Sequence, residues 1–194
     1  TKAKYQSRLH MDGPTRGGRC QYLSQIWHRT RRIVGYNVLL FDFRNCGESG
    51  GNLTTVGQLE VRDLLGAVDY IKAKPEISRK IILLGFSMGA TTSLLAGARE
   101  PEVDAVIADS PFANMRSYLE ENLSVWTDLP SFPFNQAFFS IVPMLTGLVP
   151  DQVSAIKEIT SFKGRPCCQS MVMPTGQGST NRVDHVSPTL KSRI

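Results

Sequence analysis

A serine flanked by two glycines, Gly85-Phe86-Ser87-Met88-Gly89, follows the apolar run Lys80-Ile81-Ile82-Leu83-Leu84 and precedes the small-residue stretch from Ala90 to Ala98. Those residue types at that spacing suit nucleophilic attack by a hydroxyl. A strand that reverses sharply into a helix holds the residue at the bend in a strained backbone conformation, with its hydroxyl raised above the sheet edge. Glycines two before and two after the serine remove the side chains that would collide at the bend. The Met88 N–H, in the first turn of the helix, can donate to a developing oxyanion. A surface serine in a glycine-rich turn could share the five residues but would lack both flanking runs.

The elements around this motif follow from periodicity. Tyr36-Asn37-Val38-Leu39-Leu40-Phe41-Asp42-Phe43 reads as a buried strand, followed by the polar turn Arg44-Asn45-Cys46-Gly47-Glu48-Ser49-Gly50-Gly51. Thr55-Val56-Gly57-Gln58 can form a capping box for a helix to about Lys74, stopped by Pro75, with Leu64, Leu65, Val68 and Ile71 as its apolar stripe. The elbow helix ends near Glu100-Pro101, and Val103 to Ala108 makes a third strand closing in Asp109-Ser110-Pro111-Phe112. Helical crossovers between successive strands imply a parallel sheet, with the active site at the carboxyl ends of its strands. Ser87 and Asp109 both fall there.

From Met115 to about Ile159 the pattern changes. Trp126, Phe132, Phe134, Phe138, Phe139, Ile141, Met144, Leu145 and Leu148 are dense, broken by Pro130, Pro133 and Pro143. Such a segment suits short helices forming an apolar cap over the serine, or a lid packed onto the sheet.

Composition narrows the class. With 41% hydrophobic residues in 194, the chain can bury one core. No run of about 18 apolar residues exists, so no membrane-spanning helix is expected. The chain starts without a charged-then-apolar leader, which points to the cytoplasm. Cys20, Cys46, Cys167 and Cys168 have neither metal-ligand nor disulfide spacing. Residues 1–35 carry eight Lys/Arg against one acid, 36–160 nine against fifteen, and 161–194 five against one. An acidic, well-patterned centre is therefore flanked by basic, poorly patterned ends. Those ends lack the aromatic interleaving or module signature of a nucleic-acid binder, so no nucleic-acid partner is expected. Cys46 reads as a small packed residue rather than a nucleophile, because no base stands beside it.

From Gly35 to about Thr160 the chain resembles the α/β-hydrolase superfamily, and within it the bacterial branch of the fermentation–respiration switch protein and serine aminopeptidase-like hydrolases. The residues that carry this are Gly35-Tyr36-Asn37-Val38, Asp42-Phe43-Arg44-Asn45-Cys46-Gly47-Glu48-Ser49, the elbow, and Ala108-Asp109-Ser110-Pro111-Phe112. The resemblance implies an α/β fold with a mainly parallel sheet, helices on both faces and a helical cap, truncated or disordered at both ends. It divides the chain into an atypical basic segment (1–34), a hydrolase core (35–112), a helical cap (113–160) and a second atypical basic segment (161–194). It also implies a serine–acid–histidine triad in that chain order, an ester, thioester or amide substrate of acyl or peptide-like type, and no metal or organic cofactor.

The family's strand before the first motif, which supplies a second oxyanion amide, has no counterpart by pattern in Tyr5-Gln6-Ser7-Arg8-Leu9-His10-Met11-Asp12-Gly13. The family's strand carrying the triad acid has none in Arg165 to Thr175, which holds no carboxylate. Read one base out of register, the codons of both stretches permit a His-Gly motif, so a frame displacement at each end is one reading of the departure. Of His10, His28 and His185, only His185 follows Ser87 late enough to act as base, and it reads better as a surface residue of the tail. Asp109 could stand in as the acid, or instead hold backbone amides of its own turn. Asp42 and Arg44 read as a loop-holding pair. The expectation is a serine hydrolase acting through an acyl-enzyme at Ser87, impaired for want of a recognisable acid and base. The alternative is a non-catalytic relative that binds an apolar ligand or partner.

Overall fold

A computed structural model describes residues 7–11, 37–47, 49–74, 80–127, 130–159, 162 and 165–170. Its centre is a five-stranded sheet of β1 (Ser7–Met11), β2 (Asn37–Phe41), β3 (Ile81–Phe86), β4 (Val103–Asp109) and β5 (Cys167–Ser170). The strand order is β2-β1-β3-β4-β5, and every pairing is parallel. Helices α1 (Glu60–Lys72) and α2 (Met88–Arg99) supply crossovers, as helix-length segments between parallel strands must.

The core follows the pattern of the sequence. Leu83 in β3 and Val103, Val106 and Ala108 in β4 are fully buried. On α1, Leu64, Val68 and Ile71 are buried, as the 3.6-residue stripe requires, and Leu65 packs at its margin. Helix α2 lies against β1, β3 and β4, flanked by α1 and by α5 (Ala155–Ile159). Small residues allow this close approach. A Cβ on Gly97 would stand 2.7 Å from the Val106 Cγ2.

Two stretches without strand character by pattern are strands. Ser7–Met11 sits between β2 and β3 and pairs with both, bringing Met11 level with Phe41 and Gly85. Cys167–Ser170 pairs with β4, setting Ser170 opposite Asp109. A parallel strand held on one or both sides by backbone hydrogen bonds needs no alternation of its own, so pairing overrides the weak local pattern. Arg165 secures the second of these: its Nη1 donates to the Glu100 and Val103 carbonyls, both at 2.9 Å.

The helical segment after β4 contains α3 (Met115–Thr127), α4 (Ser131–Thr146) and a 3-10 turn (Pro150–Gln152) before α5. Its return to the core is well tied. The Met115 N–H donates to the Val153 carbonyl at 2.9 Å, and Asn114 bridges Ser154. Many apolar residues read as packing against the sheet or over the serine instead face outward, with Phe132 72% and Met144 86% exposed. Among the described residues no helix is long and apolar enough to cross a membrane.

Candidate active site

Ser87 stands between the end of β3 and the first turn of α2, with φ 49° and ψ −115°. Positive φ on a serine is strained, and the surrounding contacts show what enforces it. A Cβ on Gly85 would collide with the carbonyl group of Gly89 and lie 2.7 Å from the Ala90 nitrogen. The strand and the helix therefore meet backbone to backbone, which only glycine at position 85 permits. The Ser87 N–H donates to the Asp109 carbonyl at 2.9 Å, and the Ser87 carbonyl accepts from Thr91 N–H at 3.1 Å.

This backbone leaves the side chain in an unusual position. An ordinary N-cap serine turns its oxygen onto the helix amides. Ser87 makes no such capping bond, and the residue is exposed. The N–H groups of Met88, Gly89 and Ala90 begin α2 without intrahelical acceptors, and the helix dipole adds a partial positive charge there. A hydroxyl beside the first amides of a helix is an arrangement for attacking an acyl carbon and receiving the oxygen's charge. Met88 itself is buried, so its amide is anchored.

The turn after β4 completes this edge. Ser110 has φ 56°, and its Oγ donates to Asp109 Oδ1 at 3.0 Å. Thr91, one turn along α2 and fully buried, holds the same turn: its Oγ1 accepts from the Phe112 N–H at 3.1 Å. Asp109 thus lies in the strand adjoining Ser87, its carboxylate engaged by its own neighbour. His185, the candidate base, lies outside the described residues, as do Asp12 and Gly13 beyond the end of β1.

The turn after β2 differs from the sequence reading. Arg44 does not pair with Asp42; it forms a two-point contact with Asp63 on α1, Nε to Oδ2 at 2.9 Å and Nη2 to Oδ1 at 2.6 Å. Asp63 projects toward the turn from the first turn of α1, where its guanidinium partner can meet both oxygens. That hydrogen bond holds the Arg44 pKa above its ordinary value. Asp42 instead packs against Gly47, where any Cβ would land on its carboxylate. Cys46 is half-buried, and burial, followed by the charges of Glu60 and Asp42, pushes its thiol pKa up. A raised pKa leaves little thiolate for nucleophilic work.

Sequence reading also missed one structural residue, Glu60, and gave Gln58 the wrong partners. Glu60, fully buried, accepts from Thr55 N–H at 2.7 Å, Thr55 Oγ1 at 2.8 Å and Gly57 N–H at 2.8 Å. The cap of α1 is therefore built on Thr55 and Glu60, not Thr55 and Gln58. Gln58 serves elsewhere: its side chain donates to the Gly147 carbonyl at 3.0 Å and accepts from Val149 N–H at 2.7 Å, tying α1's approach to the end of α4. The Thr-x-x-Gln spacing concealed this, because it is also a capping signal. No cluster able to hold a metal ion occurs among the described residues.

Comparison with known proteins agrees with this fold. A model of the alpha/beta hydrolase fold matches residues 22–157, and the chain belongs to that family. It is 42% identical over 102 residues to the uncharacterized protein YqkD of Bacillus subtilis, covering 52% of this chain and 33% of that protein. It is 33% identical over 112 residues to lysophosphatidylserine lipase ABHD12 of Xenopus tropicalis, covering 56% of this chain and 28% of the lipase. Among solved structures, the Pyrococcus furiosus esterase Pf2001 superposes with a TM-score of 0.63 at 29% identity, over 84% of this chain and 59% of the esterase. The chain thus spans about a third of the length of these curated relatives, and less than two thirds of the esterase.

Proposed function

We propose that this chain is a serine hydrolase by construction, with Ser87 as the nucleophile that forms an acyl-enzyme and the Met88 N–H as an oxyanion donor. The observation that carries this is the Ser87 backbone, held at positive φ with its side chain exposed and making no capping bond to the helix it begins. Esters are the favoured substrates, because the named relatives include an esterase and a lipase. In the reaction the Ser87 oxygen attacks the acyl carbon, its proton passes to a base, and the first amides of α2 receive the charge forming on the carbonyl oxygen. Gln58 ties the end of α4, the candidate cap helix, to the approach of α1.

The same reading includes an impairment. The residues after β5, Met171-Val172-Met173-Pro174-Thr175, contain no carboxylate where the family's acid belongs. Asp109 and His185 are the remaining candidates for acid and base. A nucleophile with oxyanion support but no working base and acid retains only ~10³–10⁴-fold catalysis over water.

Hydrolysis of p-nitrophenyl butyrate, with and without Ser87→Ala, tests both parts. Slow hydrolysis lost in Ser87→Ala is the expected result. Turnover near ~10 s⁻¹, typical of a complete enzyme, and abolished by Ser87→Ala would overturn the impairment. Hydrolysis indifferent to Ser87→Ala would overturn the nucleophile assignment. Sequencing the DNA across codons 1–35 and 160–194 then decides whether the printed frame stands at both ends.

A further inference from the structure

Between α3 and α4 lies an open pocket of about 570 Å³, within the roughly 300–1,000 Å³ of small-ligand sites. Arg116 and Glu120, one turn apart on α3, face it together with Asn135, Gln136 and Phe139 of α4. Phe132 adds a further wall. It stands at the kink in α4 with φ −108° and ψ 132°, and it is 72% exposed. Arg116 is held by three groups. Its Nε donates to Glu120 Oε1 at 3.1 Å, its Nη1 donates to Asp151 Oδ2 at 2.9 Å, and its guanidinium lies 4.7 Å from the centre of the Phe139 ring. Asn135 Nδ2 donates to the Glu120 carbonyl at 3.3 Å, so this carboxamide is oriented as well. Polar groups fixed in advance lose little freedom when a ligand arrives.

We propose that this pocket binds an uncharged polyhydroxylated ligand, a sugar, which stacks on Phe132 and bonds to the polar side chains of α3 and α4. The charges select an uncharged ligand. Arg116 is already matched by Glu120 and Asp151, so a carboxylate or phosphate meets two carboxylates at the guanidinium that would receive it. An ammonium ion seeking Glu120 meets the Arg116 guanidinium bound to that same carboxylate. The remaining hydrogen-bonding capacity selects hydroxyls. Among the described residues, Arg116 Nη2, Glu120 Oε2, Asn135 Oδ1 and the Gln136 carboxamide have no partner. These groups include both donors and acceptors, and each hydroxyl of a sugar can serve either kind. Phe132 suits the less polar side of the same ligand, because the weakly positive C–H groups of a sugar ring are drawn to the negative face of an aromatic ring. The inference does not involve Ser87, so it stands or falls separately from the hydrolase reading.

Chemical-shift titration of the ¹⁵N-labelled whole chain with cellobiose, maltose and myo-inositol reads the outcome residue by residue. At least one of the three should shift the side-chain amides of Asn135 and Gln136 and the Arg116 Nε–H, with a dissociation constant on the order of 1 mM. Gln136→Ala and Phe132→Ala, both at exposed positions, should each weaken that binding at least tenfold with unchanged far-UV circular dichroism. Benzoate and benzylamine, which pair an aromatic ring with one charge of either sign, should bind at least tenfold more weakly than the sugar. No saturable shift at these residues up to ~100 mM of each carbohydrate, a hundredfold above the expected constant, would overturn the proposal. So would binding that neither substitution weakens. Tighter binding of benzoate or benzylamine at the same residues would also overturn it, and would assign the pocket to a charged ligand.

Discussion

The Ser87 N–H donates to the Asp109 carbonyl across 2.9 Å, one residue beyond the end of β3. The strand ladder therefore continues into the bend, pairing Phe86 with Asp109 and then clamping the serine's own backbone from the side. Asp109 contributes through its main chain, a role open to any residue, while its carboxylate engages Ser110. With Thr91 holding Phe112, the elbow and the turn after β4 form one hydrogen-bonded unit.

The tightest contact in that unit is steric. Gly85→Ala would press a methyl group into the backbone of Gly89 and Ala90, which cannot withdraw without moving the start of α2. The expected loss is about 3 kcal/mol, at the upper end for overpacking, read as a fall in the urea midpoint. Any Ser87-dependent hydrolysis should disappear with it.

Thr91→Val keeps the shape but removes the acceptor for the Phe112 N–H. A buried donor left without its partner costs about 1–3 kcal/mol. Thr91→Ser should recover most of that stability, whereas a purely packing role would make Ser worse than Val. Chemical denaturation of the two variants separates these outcomes.

Glu60→Gln places an amide where three donors converge on a carboxylate. Hydrogen bonds to a charged group are the strong kind, so a loss of about 2 kcal/mol is expected. Because the Thr55–Gln58 turn also positions the Gln58 clamp, amide exchange at Val149 should accelerate in the same variant. Unchanged exchange there would show that the turn and α4's end are independent.

Cys46 should alkylate slowly in the folded chain. Burial raises its pKa, with Glu60 and Asp42 adding to the effect. The folded state therefore holds its thiol proton more tightly than the unfolded state. The resulting stability is fully present below the ordinary thiol pKa and is lost as pH rises through the raised folded value. Mass spectrometry after iodoacetamide treatment at pH 8 should find Cys46 modified more slowly than in the denatured chain. Stability should also decline less steeply at alkaline pH in Cys46→Ala.

The sequence by itself determined what depends on a few adjoining residues. The sharp strand-to-helix bend at Ser87 was legible because its strain demands glycines at fixed offsets, β3 and β4 because each is a short apolar run, α2 because a small-residue stretch follows the bend, and α1 because its apolar stripe repeats every 3.6 residues. Only the tertiary structure decided what depends on distant partners. Ser7–Met11 became a central strand because a slot between β2 and β3 supplies hydrogen bonds on both sides, which no local pattern announces. Arg44 chose Asp63, 19 residues away, over Asp42 nearby, and Gln58 reached Val149, 91 residues away. Which side of α4 faces outward was equally invisible in a segment apolar on most sides. Periodicity and backbone strain are written locally, whereas partners in space are set by how the chain packs as a whole.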